Sequence, residues 1–365
     1  MPATTTGRAS QRLFTVAALA IVIAGLKAAA ALLVPFAAAF FLAVLSLPLL
    51  DLLERRLPRA LAIMLTVLLN LLVIAGIVAL ITVSLSSFVD ALPRYRDQGM
   101  ALLDQAVSWG EARGMPAARW VEEGLFDAAS VVDLVGGTLK GVAALATMML
   151  LVLTIMAFVL VEVEGFPAKL DAAFGADVRR RWRYARIRYD VQRYLAMKSV
   201  VSLMMGVLSG LGVWIIGLDF ALLWGTLAFL LNYVPNIGPV LAAVPPLALS
   251  LVTLGLGRTL LVAALFLALH LGLGNLLEPQ LFGRRLGLSP LVVFASLIFW
   301  GWAWGPIGML LSVPLTVIAR IVFENSRELR WVADLLASET RREDFDEDET
   351  IVRAPPLRRH DDPKL

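Results

Sequence analysis

The chain contains no cysteine and only two histidines, His270 and His360. The first absence excludes disulfides, thiolate metal sites and cysteine nucleophiles. The second excludes a histidine-rich metal centre, so no metal and no cofactor is expected. Charge is scarce as well. Asp, Glu, Lys and Arg make up 17% of the residues, against about a quarter in soluble domains. A net charge of +3 is too small to argue for a nucleic-acid partner. Neither a His-Glu-x-x-His zinc motif nor a P-loop occurs, so ATP-driven work would need another subunit. Gly287-Leu-Ser289 is the nearest approach to an intramembrane serine nucleophile, but its flanks are wrong and His270 precedes it. The chain reads as a non-enzyme.

Apolar residues, by contrast, make up 59% of the chain, and the mean hydropathy is +0.81. In lipid a backbone must satisfy its own polar groups, so an apolar chain of this kind forms helices. The expected fold class is an all-α integral membrane protein with about eight transmembrane helices of roughly 20 residues each. Broken or re-entrant segments are expected in its C-terminal half.

The charges that are present mark the boundaries. A short tail, 1–12, carries Arg8 and Arg12. Three spans are expected over 13–88, with a tight turn near Lys27 to Val34 between the first two. Segment 89–140 is acidic on balance yet keeps apolar residues at helical spacing, as amphipathic helices outside a bilayer do. A fourth span follows over 141–163. Segment 164–198 is basic, with Arg179, Arg180, Arg181, Arg183, Arg186 and Arg188 in one run. Basic loops stay in the cytoplasm. Counting spans from this loop puts the N-terminus and the 51–59 loop inside, and segment 89–140 outside. Aromatics interleave the arginine run, but attraction to anionic lipid headgroups explains it better than nucleic acid does. Residues 199–323 form a nearly unbroken apolar core. The tail, 324–365, is acidic and proline-containing and is expected to be cytoplasmic and largely disordered.

Three places inside that core resist a continuous helix. The first is Asn232-Tyr-Val-Pro-Asn-Ile-Gly-Pro239. Pro235 and Pro239 lack donors, and each disfavours a helical residue before it. The second is Asn275-Leu-Leu-Glu-Pro-Gln280, with Glu278 and Pro279. The third is Gly301-Trp-Ala-Trp-Gly-Pro-Ile-Gly308, with Gly305 and Pro306. Its flanking halves are short for independent spans, so a re-entrant hairpin or two tilted spans both fit. The sequels echo each other: Ile237-Gly-Pro-Val-Leu-Ala-Ala-Val-Pro245 and Ile307-Gly-Met-Leu-Leu-Ser-Val-Pro314. Paired interrupted helices mark repeats in transporters, with the substrate site at the interruption.

These motifs carry a family resemblance. The 232–239 segment followed by Val244-Pro-Pro246, Glu278-Pro-Gln-Leu-Phe-Gly283, and Gly301 through Pro306-Ile-Gly308 to Val313-Pro-Leu-Thr316 resemble the signature of the autoinducer-2 exporter family. The resemblance covers about 13–325 and is most specific in the second half. It implies a multi-pass protein of the bacterial inner membrane that assembles as a homo-oligomer, a pentamer where the architecture is known. It also implies a secondary transporter of a small polar signalling molecule or similar solute. A sodium/proton antiporter of the same fold is the alternative. A non-transporting membrane scaffold, touching only lipids and copies of itself, is the rival from another class.

Five polar residues at the breaks are candidates for binding solute or a cation: Asn232, Asn236, Asn275, Glu278 and Gln280. An amide both donates and accepts, which suits a polyhydroxylated solute. The plainer role for Asn232 and Asn236 is capping of the broken helix ends. Glu278 is the only acid between Asp219 and Glu324, and an intramembrane carboxylate is a functional candidate. Its plainer role is an interfacial pair with Arg284 or Arg285, at a helix end set by Pro279. Gly238 and Gly308 are expected at close backbone approaches.

Overall fold

A computed structural model describes residues 17–18, 20–113, 148–163, 165–174, 178–235, 237–282, 289–324, 332 and 336. No strand occurs among them, and the fold is all-α. In chain order the helices are α1 (Ala30–Glu54), α2 (Arg59–Glu111), α3 (Met148–Glu162), α4 (Phe166–Phe174), α5 (Val178–Ile216), α6 (Ala221–Leu231), α7 (Ile237–Leu269), α8 (Glu278–Phe282) and α9 (Pro290–Glu324). A π-helical turn, His270–Leu277, joins α7 to α8. Among the described residues, five helices are long and apolar enough to cross a membrane, and α3 and α6 are shorter apolar ones.

The expected tight turn at Lys27 to Val34 is absent. Residues 20–28 are helical, Ala29 alone interrupts, and Pro35 lies inside α1. The physical reason is the run Ala28 to Ala31, which is strongly helix-forming and offers no turn chemistry. Helix α2 also runs on past the apolar residues, through Pro93 to Glu111. At 1.5 Å per residue it is about 80 Å long, far more than a hydrocarbon core of about 30 Å. α1, α2 and α3 share one core. Ala39, Ala43, Leu47 and Leu50 pack against Ala62, Ile63, Val152, Met156 and Leu160. Asn70 Nδ2 donates to Ser46 Oγ at 3.1 Å across the antiparallel α1–α2 pair.

In the second half, α5 is the common wall. Helix α6 runs antiparallel to it on glycines. A Cβ on Gly206 would lie 2.8 Å from the Gly225 carbonyl, so only small residues allow the approach. α6 has 11 residues, about 16 Å, and cannot cross a bilayer alone. After Leu231 the chain turns back into α7, forming a hairpin whose tip meets Ser199 and Ser202 of α5. Ser202 lies about 21 Å along α5 from Ile216, so this tip sits deep within membrane thickness.

α7 is itself folded at Gly255 (φ 75, ψ 172). Its second arm descends beside α5. Arg258 lies near Gly217, Leu265 against Gly212, and Glu278 bonds Lys198. These pairings run in opposite chain directions, so the arm is antiparallel to α5.

α9 breaks at Gly305 (φ 68, ψ −151). Trp300 Nε1 donates to Thr316 Oγ1 at 3.0 Å. Sixteen residues of straight helix would separate those groups by about 24 Å, so α9 is a second hairpin. Trp304 Nε1 donates to the Leu26 carbonyl at 3.1 Å, while Leu311 and Val313 pack near Phe41 and Val44. The second arm of α9 therefore runs parallel to α1. α1 opposes α2, whose Phe88 and Tyr95 reach Phe220 beside Gly217. The Gly305 tip thus points to the Gly217 end, and the Asn232–Pro235 tip points to the Lys198 end. The unit of α5 plus the α6–α7 hairpin recurs, upside down, as the second arm of α7 plus the α9 hairpin.

Gly305 occupies a region of backbone space that is essentially restricted to glycine, and a Cβ there meets nothing within 4 Å. Gly305→Ala is expected to lower stability through backbone strain alone, by about 1–3 kcal/mol. A thermal melt of the purified variant in detergent measures it.

Candidate functional site

Helix α6 ends because Pro235 cannot donate to the ladder and biases the preceding residue away from helix. Asn232 stands at the C-cap with its N–H still bonded to the Ala228 carbonyl at 3.0 Å. The chain then reverses and enters α7 at Ile237, where Gly238 touches the chain it has just left. A Cβ on Gly238 would lie 1.8 Å from the Leu231 carbonyl. The second hairpin repeats this contact, with a Cβ on Gly308 falling 2.1 Å from the Trp300 carbonyl. The sequence echo around these glycines thus has a structural counterpart, a backbone-on-backbone seam at each tip.

The polar side chains of the first tip turn towards α5. Asn232 is 1% exposed, and its Nδ2 donates to Ser202 Oγ at 3.0 Å. Tyr233 OH donates to Ser199 Oγ at 2.8 Å. One residue earlier, Lys198 is 3% exposed, and its Nζ donates to Glu278 Oε1 at 2.6 Å. Lys198 and Ser202 are four apart and so share a helix face. Tyr194, one turn below on the same face, is buried as well. A single stretch of α5 therefore fastens both the hairpin tip and the end of the descending arm.

The π-turn helps place the carboxylate. A π-turn takes more residues per revolution than an α-turn, so it rotates the side chains that follow it. Glu278 comes directly after this turn. Pro279 does not stop the helix as expected. The helical backbone runs on through it, directly after the π-turn, and such π adjustments re-satisfy the backbone groups a proline frees. Farther along the contact of α5 with the descending arm, His270 Nδ1 and Ser209 Oγ are buried without a hydrogen-bond partner among the described residues.

The other candidates fall differently. Asn236 lies outside the described residues, as do Arg284 and Arg285. Asn275 and Gln280 are exposed and do not join the cluster. The side chain of Asn232 does not cap α6; it anchors the tip to α5. The third break makes its contacts elsewhere, with Leu26 through Trp304 and with Lys27, whose Nζ sits 3.8 Å from the Trp302 ring centroid. Hence the first two breaks converge and the third does not. Among the described residues no group of three or more His, Cys, Asp or Glu could hold a metal.

Sequence reasoning missed Lys198, Ser199, Ser202, Tyr194 and Tyr233. Lys198 was counted as the last charge of a basic loop. A signal existed, since Lys198, Ser202 and Ser209 recur on one face of an otherwise apolar helix.

Known proteins are similar to this chain over most of its length. A family model described as "AI-2E family transporter" matches residues 16–328. YhhT of Escherichia coli (strain K12) is 38% identical over 329 residues, 89% of this chain and 93% of that protein. The "AI-2 transport protein TqsA" of the same strain is 37% identical over 321 residues, 87% of this chain and 93% of its own length. A relative from Haemophilus influenzae is 36% identical over 341 residues, covering 89% and 95%. With the match spanning nearly the whole chain, and the interrupted helices standing where lipid forbids irregular backbone, this multi-pass bacterial membrane protein belongs to the AI-2E transporter family.

Proposed function

We propose that the chain is a secondary transporter that moves a small polar solute across the bacterial inner membrane. The observation that carries this reading is the buried Asn232–Ser202 bond at a hairpin tip deep in the bundle. An amide and hydroxyls that bond one another in the closed tip are the groups a polyhydroxylated solute would engage when the tip moves. A relative is named an AI-2 transport protein, which supports AI-2 or a similar polyol as cargo. Asn232 is the first binding residue of this reading and Glu278 the second, while Asn236, Asn275 and Gln280 remain candidates from the sequence alone. The Lys198 end faces the cytoplasm, because the basic segment leads into it. The second arm of α9 ends on that side, so the C-terminus lies inside. Leu26, ahead of α1, stands at the opposite Gly217 end, against the expected cytoplasmic N-terminus. The chain works as a homo-oligomer, a pentamer by the family resemblance.

The test is flux into lipid vesicles carrying wild type, Asn232→Ala or Ser202→Ala. Wild type is expected to move the solute well above empty vesicles. Each variant is expected to fall about tenfold, the effect of losing roughly 1.4 kcal/mol of interaction. Wild-type flux at the empty-vesicle level for every polyol and gradient tried would leave the scaffold reading instead. A second reading, a sodium/proton antiporter, is favoured by one specific feature: the buried Lys198–Glu278 pair.

A further inference from the structure

We propose that the Lys198–Glu278 pair is a binding site for a small hydroxylated zwitterion, a solute whose ammonium and carboxylate are joined through one carbon as in an α-amino acid. This rests on the small-solute reading above and names the charges of the cargo.

The ammonium is short of acceptors. Lys198 is almost wholly buried, and Glu278 is its only hydrogen-bond partner among the described residues. An ammonium carries three donors, so two of them have no acceptor there. A buried charge that lacks hydrogen bonds is costly. The carboxylate is engaged through Oε1 alone among the described residues, and its side chain keeps 21% of its surface exposed. A solute can therefore reach it. An apolar pair of similar volume would tie the descending arm to α5 without these costs. Ionisable groups kept at membrane depth mark solute pathways. The π-turn directly before Glu278 is a second mark of the same kind, since such turns gather at functional sites.

Charge decides the class of ligand. A solute with only a positive charge would pair with Glu278 and leave the buried ammonium alone. One with only a negative charge would pair with Lys198 and strand the carboxylate. Either outcome is strongly unfavourable. A zwitterion supplies both partners at once: its carboxylate takes the open Lys198 donors, and its ammonium takes Glu278. One ion pair becomes two, the site stays neutral, and no proton moves. Charge-assisted hydrogen bonds of this kind are about twice as strong as neutral ones. A neutral polyol would be read well enough by the amide and hydroxyls of the tip, and would leave two full charges unused. Those same groups select the rest of the solute. Ser202 shares a face with Lys198, about 6 Å further along α5, and bonds Asn232. Ser199 bonds Tyr233 beside them. A hydroxyl on the solute matches this end of the seam.

The experiment measures binding to the full chain in lipid nanodiscs, with radiolabelled glycine, L-serine and L-threonine as probes. Wild type is expected to bind at least one of them saturably, the hydroxylated two more tightly than glycine. Ethanolamine lacks the carboxylate, glycolate lacks the ammonium and glycerol lacks both. Each is expected to compete at least about tenfold more weakly, having lost one or both charge-assisted contacts. The double variant Lys198→Met with Glu278→Gln leaves no unpaired buried charge, and it is expected to bind at least about tenfold more weakly while melting near wild type. Three results would overturn the proposal: no saturable binding of any probe to wild type, ethanolamine or glycolate competing as well as the zwitterion, or wild-type affinity in the folded double variant. Competition on wild type decides the matter even where the double variant does not fold. Polyol flux is not part of the readout. Zwitterion binding without polyol flux keeps this site and loses the polyol, and polyol flux without zwitterion binding does the reverse.

Discussion

Gly238→Ala is expected to abolish the folded protein, or nearly so, and Gly308→Ala to come close behind. The added methyl would stand 1.8 Å from the Leu231 carbonyl in the first case and 2.1 Å from the Trp300 carbonyl in the second. Both obstacles are backbone, so neither can rotate away as a side chain would. Relief requires the two arms of a hairpin to part, which also breaks the packing on α5. Overpacking a close-fitted interior costs about 1–3 kcal/mol even where side chains can yield, and these sites lie beyond that range. Gly76 is the control: it is helical, and a Cβ there meets nothing within 4 Å. Gly76→Ala is expected to be neutral or to gain up to about 1 kcal/mol through helix propensity. The yield of monodisperse protein after extraction and its melting temperature test all three. A well-folded Gly238→Ala protein melting like wild type would refute the backbone seam.

The second large effect concerns the buried ion pair. Glu278→Gln leaves a 3%-exposed ammonium without its anion and is expected to lose about 3–5 kcal/mol. Lys198→Met is expected to lose less, because the Glu278 side chain retains 21% exposure and can be hydrated. The double variant is expected to return close to wild type, since replacing both members of a buried pair is often neutral. Denaturation midpoints of the four proteins close the cycle, and a coupling term well above about 0.5 kcal/mol marks direct contact. Additive losses would mean that the two side chains do not depend on each other. The pair ties the end of the descending arm to α5.

Much of the fold was legible. Scarce charge with abundant apolar residues leads to membrane helices, because nothing else satisfies a backbone in lipid. The break at 232–239 was legible for a local reason, since two prolines act within their own turn. The close approach of Gly238 and Gly308 was anticipated for the same kind of reason. Two local readings went astray. A reversal near Lys27 was inferred from a lone charge and a proline, yet four alanines kept the chain helical. Pro279 reads as a stop, yet the helix runs on through it because the π-turn just before it adjusts the ladder.

The site was half legible. Asn232 and Glu278 were singled out by being polar where neighbours are apolar. Their partners were not, because Lys198, Ser199 and Ser202 precede them by tens of residues and look like the end of a basic loop. What the sequence determined by itself was the class of protein, the positions of the interruptions and the residues too polar to face lipid. Each of these follows from chemistry within a few residues. Only the tertiary structure decided which interruptions meet. It folded α7 at Gly255 so that Glu278 returns to α5, joined two breaks on one face of that helix, and sent the third to the opposite end. Those pairings depend on the direction in which each arm runs, and direction is set by packing between distant segments rather than by local pattern.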